Sequence, residues 1–243
     1  MNSITHKTAL ITGASRGIGR AAAEAFAAAG YELILTCLNS MDALRALSEQ
    51  LQIQYQIPCR AVQADMGCQG GVDRLFDGIS RLDVLVNNAG IAYIGLLTDM
   101  TPDEWHRIIA VNLDACFYTC RLAVPIMLRE HSGKIINVSS VWGARGASME
   151  VAYSASKGGV NAFTKALAKE LAPSGIQVNA IACGAIDTAM NSSLSKEELD
   201  NLQAEIPADR LGTPAEAAQL ILQIAQAPEY MTGQIITMDG GWS

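Results

Sequence analysis

The sequence predicts an α/β fold, a single-domain, doubly wound parallel sheet of seven strands with helices on both faces. Short runs rich in Val, Ile and Leu recur along the chain, and each is followed by a stretch of helical periodicity. The runs are apolar throughout, as strands buried on both faces must be. Right-handed crossovers satisfy this alternation with one parallel sheet. Strands are expected at 8–12, 33–37, 60–64, 84–87, 134–138, 177–182 and 234–238, and helices at 18–29, 41–52, 72–80, 103–129, 155–171 and 214–225. The helix at 103–129 is expected to break near Val111-Asn112. Segment 188–212 stands outside the alternation, polar and helical in part over 196–205. It follows the sixth strand, at the edge where such sheets bind ligands, and is expected to be a lid.

Half of the 243 residues are hydrophobic, enough to build a core without a covalent staple. With 17 Lys and Arg against 24 Asp and Glu, the net charge is −7. Such a surface repels phosphate backbones, so no nucleic-acid partner is expected. No apolar run is evident at the ~18–20 residues of a membrane span, and the first residues lack a signal-peptide layout. A cytoplasmic chain with no membrane partner is expected. The cysteines at 37, 59, 68, 116, 120 and 183 form no C-x-x-C pair. Cys116 and Cys120 share a helical face, but His6, His106 and His131 supply no motif to complete a site, and no metal is expected.

The first strand runs into Thr12-Gly13-Ala14-Ser15-Arg16-Gly17-Ile18-Gly19, which opens a helix. A pyrophosphate must approach backbone amides at a helix N-terminus closely, and glycine permits that approach. The loop therefore points to a dinucleotide, with Gly13, Ser15, Arg16, Gly17, Ile18 and Gly19 as its contacts. At the end of the second strand a carboxylate would hold the ribose hydroxyls of NAD. Leu35-Thr36-Cys37-Leu38-Asn39-Ser40 offers none, whereas Arg16 could meet a 2′-phosphate. NADP(H) is favoured over NAD(H).

The fourth strand ends in Asn87-Asn88-Ala89-Gly90, whose amides could bond backbone or ribose; the fifth ends in Ser139-Ser140, hydroxyls placed to polarise a carbonyl oxygen. The next helix carries Tyr153 and Lys157 one turn apart. An ammonium near a phenol lowers the phenol's pKa toward the range useful for proton transfer. Glu150, close before Tyr153, could recognise a cationic substrate.

These elements together resemble the short-chain dehydrogenase/reductase family from Thr8 to Gly241. The family's T-G-x-x-x-G-x-G, N-N-A-G, Asn, Ser and Y-x-x-x-K elements match Thr12 to Gly19, Asn87 to Gly90, Asn112, Ser140 and Tyr153/Lys157. The resemblance implies a Rossmann-type oxidoreductase acting on a ketone/secondary alcohol pair, with Asn112, Ser140, Tyr153 and Lys157 catalytic. It implies Asp65, with Met66, near the adenine, Asn88, Ala89 and Gly90 on the cofactor, and Asn112 in a water relay to Lys157. It places Gly184, Ile186 and Thr188 along the nicotinamide, and its spacing prefers Ser140 to Ser139. Cys183-Gly184 departs from the family's Pro-Gly, which should loosen that turn.

Within the family the chain is similar to bacterial 3-oxoacyl-acyl-carrier-protein reductases, including Pro207-x-x-Arg210-Leu211-Gly212 and Asp239-Gly240-Gly241. A narrower similarity, around Val141-Trp142-Gly143, Glu150-Val151 and Gly184 to Thr188, is to paralogues that reduce the 5-aminopentanone modification on elongation factor P. Trp142 and Glu150 are then substrate candidates beside Ser140 and Tyr153. The partner expected is a small-molecule or carrier-linked carbonyl compound. Another small-ketone reductase, or a nucleotide-binding regulator without catalysis, is the remaining alternative. Relatives imply a homotetramer, a dimer of dimers built through helices 112–129 and 155–171 and the C-terminal strand region.

Overall fold

The computed structural model describes residues 7–191 and 195–243. Seven parallel strands form one sheet: β1 (Thr8–Ile11), β2 (Glu32–Cys37), β3 (Cys59–Gln63), β4 (Val84–Asn87), β5 (Gly133–Ser140), β6 (Ile176–Cys183) and β7 (Ile235–Met238). Their order across the sheet is β3-β2-β1-β4-β5-β6-β7. The helices are α1 (Gly17–Ala28), α2 (Met41–Tyr55), α3 (Gln69–Phe76), α4 (Pro102–Ile109), α5 (Ala115–Glu130), α6 (Trp142–Arg145), α7 (Val151–Leu171), α8 (Lys196–Glu205) and α9 (Pro214–Gln226). The expected doubly wound architecture is the one found.

Each strand divides its side chains between two cores, because successive residues point to opposite faces. Ala9, Ile11, Leu33, Leu35, Val84 and Val86 join one core, where Phe26 of α1 and Ile221 of α9 also lie. Leu10, Ile34, Leu85, Ile135 and Val178 join the other, with Leu75 of α3 and Met127 of α5. Both faces are therefore covered, which is why the strands read as unbroken apolar runs. Small residues on α1 (Gly19, Ala22, Ala23) and α9 (Ala217, Ala218) are buried, so these helices sit close.

Several boundaries differ from expectation for local reasons. The long helix does not break at Val111-Asn112; a π-helical turn, Ala110–Asp114, joins α4 to α5. Such turns insert a residue without ending the helix. The continuous run Pro102–Glu130 is long and apolar enough to cross a membrane, contrary to expectation. Its Ile108, Val111, Cys116, Cys120, Ala123 and Met127 are nevertheless buried in the fold. Helix α7 starts at Val151 rather than 155, which puts Tyr153 in its first turn. Helix α3 stops at Phe76, where Asp77 turns extended and Gly78 takes φ +78°.

Polar side chains pin the middle of the sheet. Asn87 and Asn137 are register partners on β4 and β5, and Asn87 Nδ2 donates to Asn137 Oδ1 at 2.9 Å. Asn137 Nδ2 donates to Thr164 Oγ1 of α7 at 2.9 Å, and Thr119 Oγ1 of α5 donates to Asn87 Oδ1 at 2.8 Å. Four buried residues thus tie two strands to the helices that cover one face. Removing one leaves its partners desolvated and unpaired. Asn137→Ala is expected to lower unfolding free energy by about 2–4 kcal/mol, read from urea denaturation; a change within ~0.5 kcal/mol would show the network to be incidental.

Candidate active site

The sheet reverses its winding between β1 and β4, so the loops after these strands part and leave a crevice at the carboxyl edge. Thr12 holds the two loops at a fixed distance. Its Oγ1 accepts from the amides of Asn88 and Ala89, both at 3.0 Å. In return Asn88 Nδ2 donates to the carbonyls of Thr12 (2.8 Å) and Gly13 (3.1 Å). A Cβ on Gly13, whose φ is +66°, would lie 2.9 Å from Ala89 Cα. A Cβ on Gly19 would run into the Gly13 carbonyl. Gly17 takes φ +55° and faces Thr188. These glycines are required by close backbone approach and by left-handed φ.

Between the loops lies a cleft of about 1180 Å³. Gly13, Ser15, Arg16 and Ile18 line one end, where α1 begins at Arg16 with no side-chain cap. Its first amides are left for an anion. Cys37, Leu38, Asn39 and Ser40 continue the wall without a carboxylate. Asp65, Met66, Asn88, Ala89 and Gly90 follow, then Gly184, Ile186 and Thr188. Gly17 and Gly19 shape the loop from outside this lining. The cradle that side chains at Gly13 and Gly17 would strain or fill, beside uncapped amides, fits a dinucleotide.

Arg107 of α4 was not anticipated. It grips Asp65 with two bonds, Nη1 to Oδ2 at 3.0 Å and Nη2 to Oδ1 at 3.1 Å, and also lines the cleft. Nothing local in the sequence pairs residues so far apart.

At the other end the candidate reacting groups converge. Ser140, the last residue of β5, faces the Tyr153 phenol, whose pKa it lowers, and its Oγ accepts from the Trp142 amide at 3.2 Å. Ser139 points elsewhere, donating to Asn161 Oδ1 at 2.7 Å and sitting 3.3 Å from the Lys157 carbonyl. The structure therefore pairs Ser140, not Ser139, with Tyr153. Lys157 is buried, its Nζ donating to the Val138 carbonyl at 2.8 Å and lying 5.6 Å from the centroid of the Tyr153 ring.

The electrostatics depart from expectation. Lys157 was expected to lower the phenol's pKa, but burial pushes Tyr153 above the usual tyrosine range, outweighing the lowering by the Ser140 bond. The charges of Glu150 and Cys183 push it the same way as burial. Burial also pulls the Lys157 pKa down, with Cys116 and Cys183 opposing. In the chain alone, then, the phenol holds its proton at neutral pH.

Asn112, in the π-helical turn, is buried and does not line the cleft. Its Nδ2 donates to the Ile91 carbonyl (2.9 Å) and Ser156 Oγ (3.0 Å), and its Oδ1 accepts from the Ile91 amide at 2.9 Å. Ser156 Oγ in turn donates to the Tyr153 carbonyl at 2.7 Å. The side chain thus braces the β4 loop against α7.

Trp142 and Glu150 both line this end of the cleft. Trp242, unanticipated, lines it too, brought there by left-handed turns at Gly240 (φ +68°) and Gly241 (φ +87°). Those glycines signal a turn in the sequence but not its direction. Of the expected lid, residues 192–194 lie outside the described residues; Met190 and, on α8, Glu198, Leu202 and Glu205 reach the cleft.

Comparison with known proteins matches residues 7–199 to the model of the short chain dehydrogenase family. The chain is 41% identical over 239 residues to the uncharacterized oxidoreductase YmfI of Bacillus subtilis, covering 98% of this chain and 99% of that one. It is 42% identical over 247 residues to the 3-oxoacyl-[acyl-carrier-protein] reductase of Synechocystis sp., covering 99% and 98% respectively. The solved structure of an assigned NAD(P)-dependent gluconate 5-dehydrogenase from Beutenbergia cavernae, with NADP at low occupancy, superposes with a TM-score of 0.92 at 33% identity. That match covers 99% of this chain and 98% of the other. With a matching glycine loop, cleft and Ser–Tyr–Lys corner already in view, the chain belongs to the short-chain dehydrogenase/reductase family and is an oxidoreductase of it.

Proposed function

We propose that this chain is an NADP(H)-dependent reductase interconverting a ketone and a secondary alcohol, of the 3-oxoacyl-(acyl-carrier-protein) reductase kind. The observation that carries the reading is the convergence of Ser140, Tyr153 and Lys157 on one end of the cleft, with Lys157 Nζ 5.6 Å from the centroid of the Tyr153 ring. Two hydroxyls so placed can receive one carbonyl oxygen. Ser140 holds that oxygen, oriented by the amide of Trp142. Tyr153, protonated at neutral pH as a phenol ordinarily is, passes it a proton. Lys157 fixes α7 against β5 through the Val138 carbonyl and keeps other donors for ribose hydroxyls. The bound nicotinamide supplies the hydride, and the protein supplies geometry and field.

Cofactor preference rests on the absence of a carboxylate among residues 37–40 and on Arg16 in the same wall. The NADP held by the Beutenbergia structure and the names of the reductase relatives support the same choice. Acetoacetyl thioesters are the first substrates to assay. A cytoplasmic location is part of this proposal, supported by similarity to bacterial reductases of this kind. Exposed Phe117 and Leu128 on α5 supply apolar surface for the proposed tetramer, and sedimentation of a monomer would remove that part.

Tyr153→Phe is expected to lower kcat for ketone reduction by about 100-fold or more while NADPH still binds, as measured by fluorescence titration. An unchanged kcat would reject the proton-donor role. Arg16→Ala is expected to cut kcat/KM for NADPH by about 10-fold or more and leave NADH within about twofold, since a charge-assisted bond to phosphate is worth roughly 1.5–3 kcal/mol. Equal losses with both cofactors would contradict 2′-phosphate recognition.

A further inference from the structure

The end of the cleft remote from Ser140 carries a charge pair that the carbonyl chemistry does not use. The segments after β2 and β3 lie across β1 from β5, whose last residue is Ser140. The glycine loop of β1 stands between them. A dinucleotide whose nicotinamide faces Ser140 and Tyr153 therefore lays its second base against those segments. The wall there is largely apolar, formed by Leu38, Ala64, Met66 and Val111, with Asp65 and Arg107 among them. Such a slot suits a flat ring, and its few polar groups decide which ring.

The pair is held from several sides. Arg107 bonds both oxygens of Asp65, and the Gly67 amide donates to Oδ1 at 2.9 Å. A Cβ on Gly67 would lie 2.8 Å from Arg107 Nη1 and 3.0 Å from Val111 Cγ2, so glycine lets this loop rest on α4. The Cys68 amide donates to the Asp65 carbonyl at 3.2 Å, and a Cβ on Gly71 would lie 2.7 Å from that oxygen. Of the roughly four acceptor positions of a carboxylate, these bonds leave one, on Oδ2.

Charge explains why the pair is needed. A dinucleotide with a 2′-phosphate brings several negative groups into a cleft whose lining already holds Asp65, Glu150, Glu198 and Glu205. Among the described residues, Asp65 is the one of these acids with an ion pair. Left unanswered, a carboxylate beside the base would repel the phosphates along the confined cleft. Arg107 cancels that charge. Its planar fork also fixes the rotation of the carboxylate, which a lysine would leave loose. The remaining position on Oδ2 accepts an N–H and is poorly matched to a carbonyl oxygen, since two facing acceptors stay unpaired.

We propose that Arg107 is a positioning residue of the cofactor cleft, which neutralises Asp65 and turns it so that an amino-bearing base is selected. This rests on the NADP(H) reading and gives α4 a part in cofactor selection.

The test measures dissociation constants by fluorescence titration without ketone. The ligands are NADPH and its analogue with hypoxanthine for adenine, where an oxo group replaces the amino group. The unaltered chain is expected to bind NADPH more tightly than the analogue by about fivefold or more. Arg107→Met is expected to weaken NADPH by about 10-fold or more and to bring the two constants together. Adding Asp65→Asn removes the unanswered charge and is expected to recover most of that loss, which a merely structural arginine would not allow. Arg107→Lys, a milder change should Arg107→Met not fold, is expected to hold NADPH affinity within about threefold and to lose the preference. Equal binding of both dinucleotides by the unaltered chain, or no recovery in the double variant, would overturn the assignment and leave ketone reduction intact. Selective binding with recovery, but no turnover of any ketone, would uphold the role of Arg107 and reject the reductase reading.

Discussion

The bond from Lys157 Nζ to the Val138 carbonyl holds the site together. A buried ammonium is costly unless its donors are met, and the carbonyl near the end of β5 meets one. The bond draws α7 onto the edge of the sheet and sets how far its first turn extends. Tyr153, one turn earlier, then falls opposite Ser140. Neighbouring polar contacts repeat the same join, through Ser139 to Asn161 and Asn137 to Thr164. Strand β5 and helix α7 are thus registered by several side chains, which positions two hydroxyls within reach of one oxygen atom.

The cofactor side depends on a different constraint. Because the sheet winds both ways from β1 and β4, the loops after those strands must diverge, and Thr12 and Asn88 limit that divergence. The glycines fit where loop meets loop, with no room for a side chain at Gly13. One scaffold therefore supplies a backbone cradle at one end of the cleft and side-chain chemistry at the other. Asn112 links the two from behind, bracing the β4 loop against Ser156 on α7.

What the sequence disclosed, and what it withheld, follows from the range of the interactions. Strands buried on both faces are unbroken apolar runs, so all seven were legible, and the glycine loop was visible because its demand is local. Ser140 ends β5 and Tyr153 and Lys157 lie on α7, with only the short α6 between them, so their meeting could be anticipated. Pairings between distant segments were not legible: Arg107 with Asp65, Trp242 with Trp142, and α8 over the cleft. The break expected at Val111-Asn112 does not occur because a π-helical turn absorbs the change of pattern there without ending the helix. The sign of the phenol's shift was missed for another reason. A lysine one turn away suggests a lowered pKa, but burial is set by the whole fold, and here it dominates.

The central claim is that Tyr153 stands protonated in the cleft as a proton donor facing Ser140, with burial raising its pKa further in the cofactor-free chain. The most direct measurement is a tyrosinate absorbance titration of the cofactor-free protein, subtracting the signal of Tyr153→Phe. No difference is predicted below the ordinary tyrosine range near pH ~10, the phenol of residue 153 ionising only above it. A difference signal titrating close to neutral pH would contradict the account and restore the ammonium as the dominant influence.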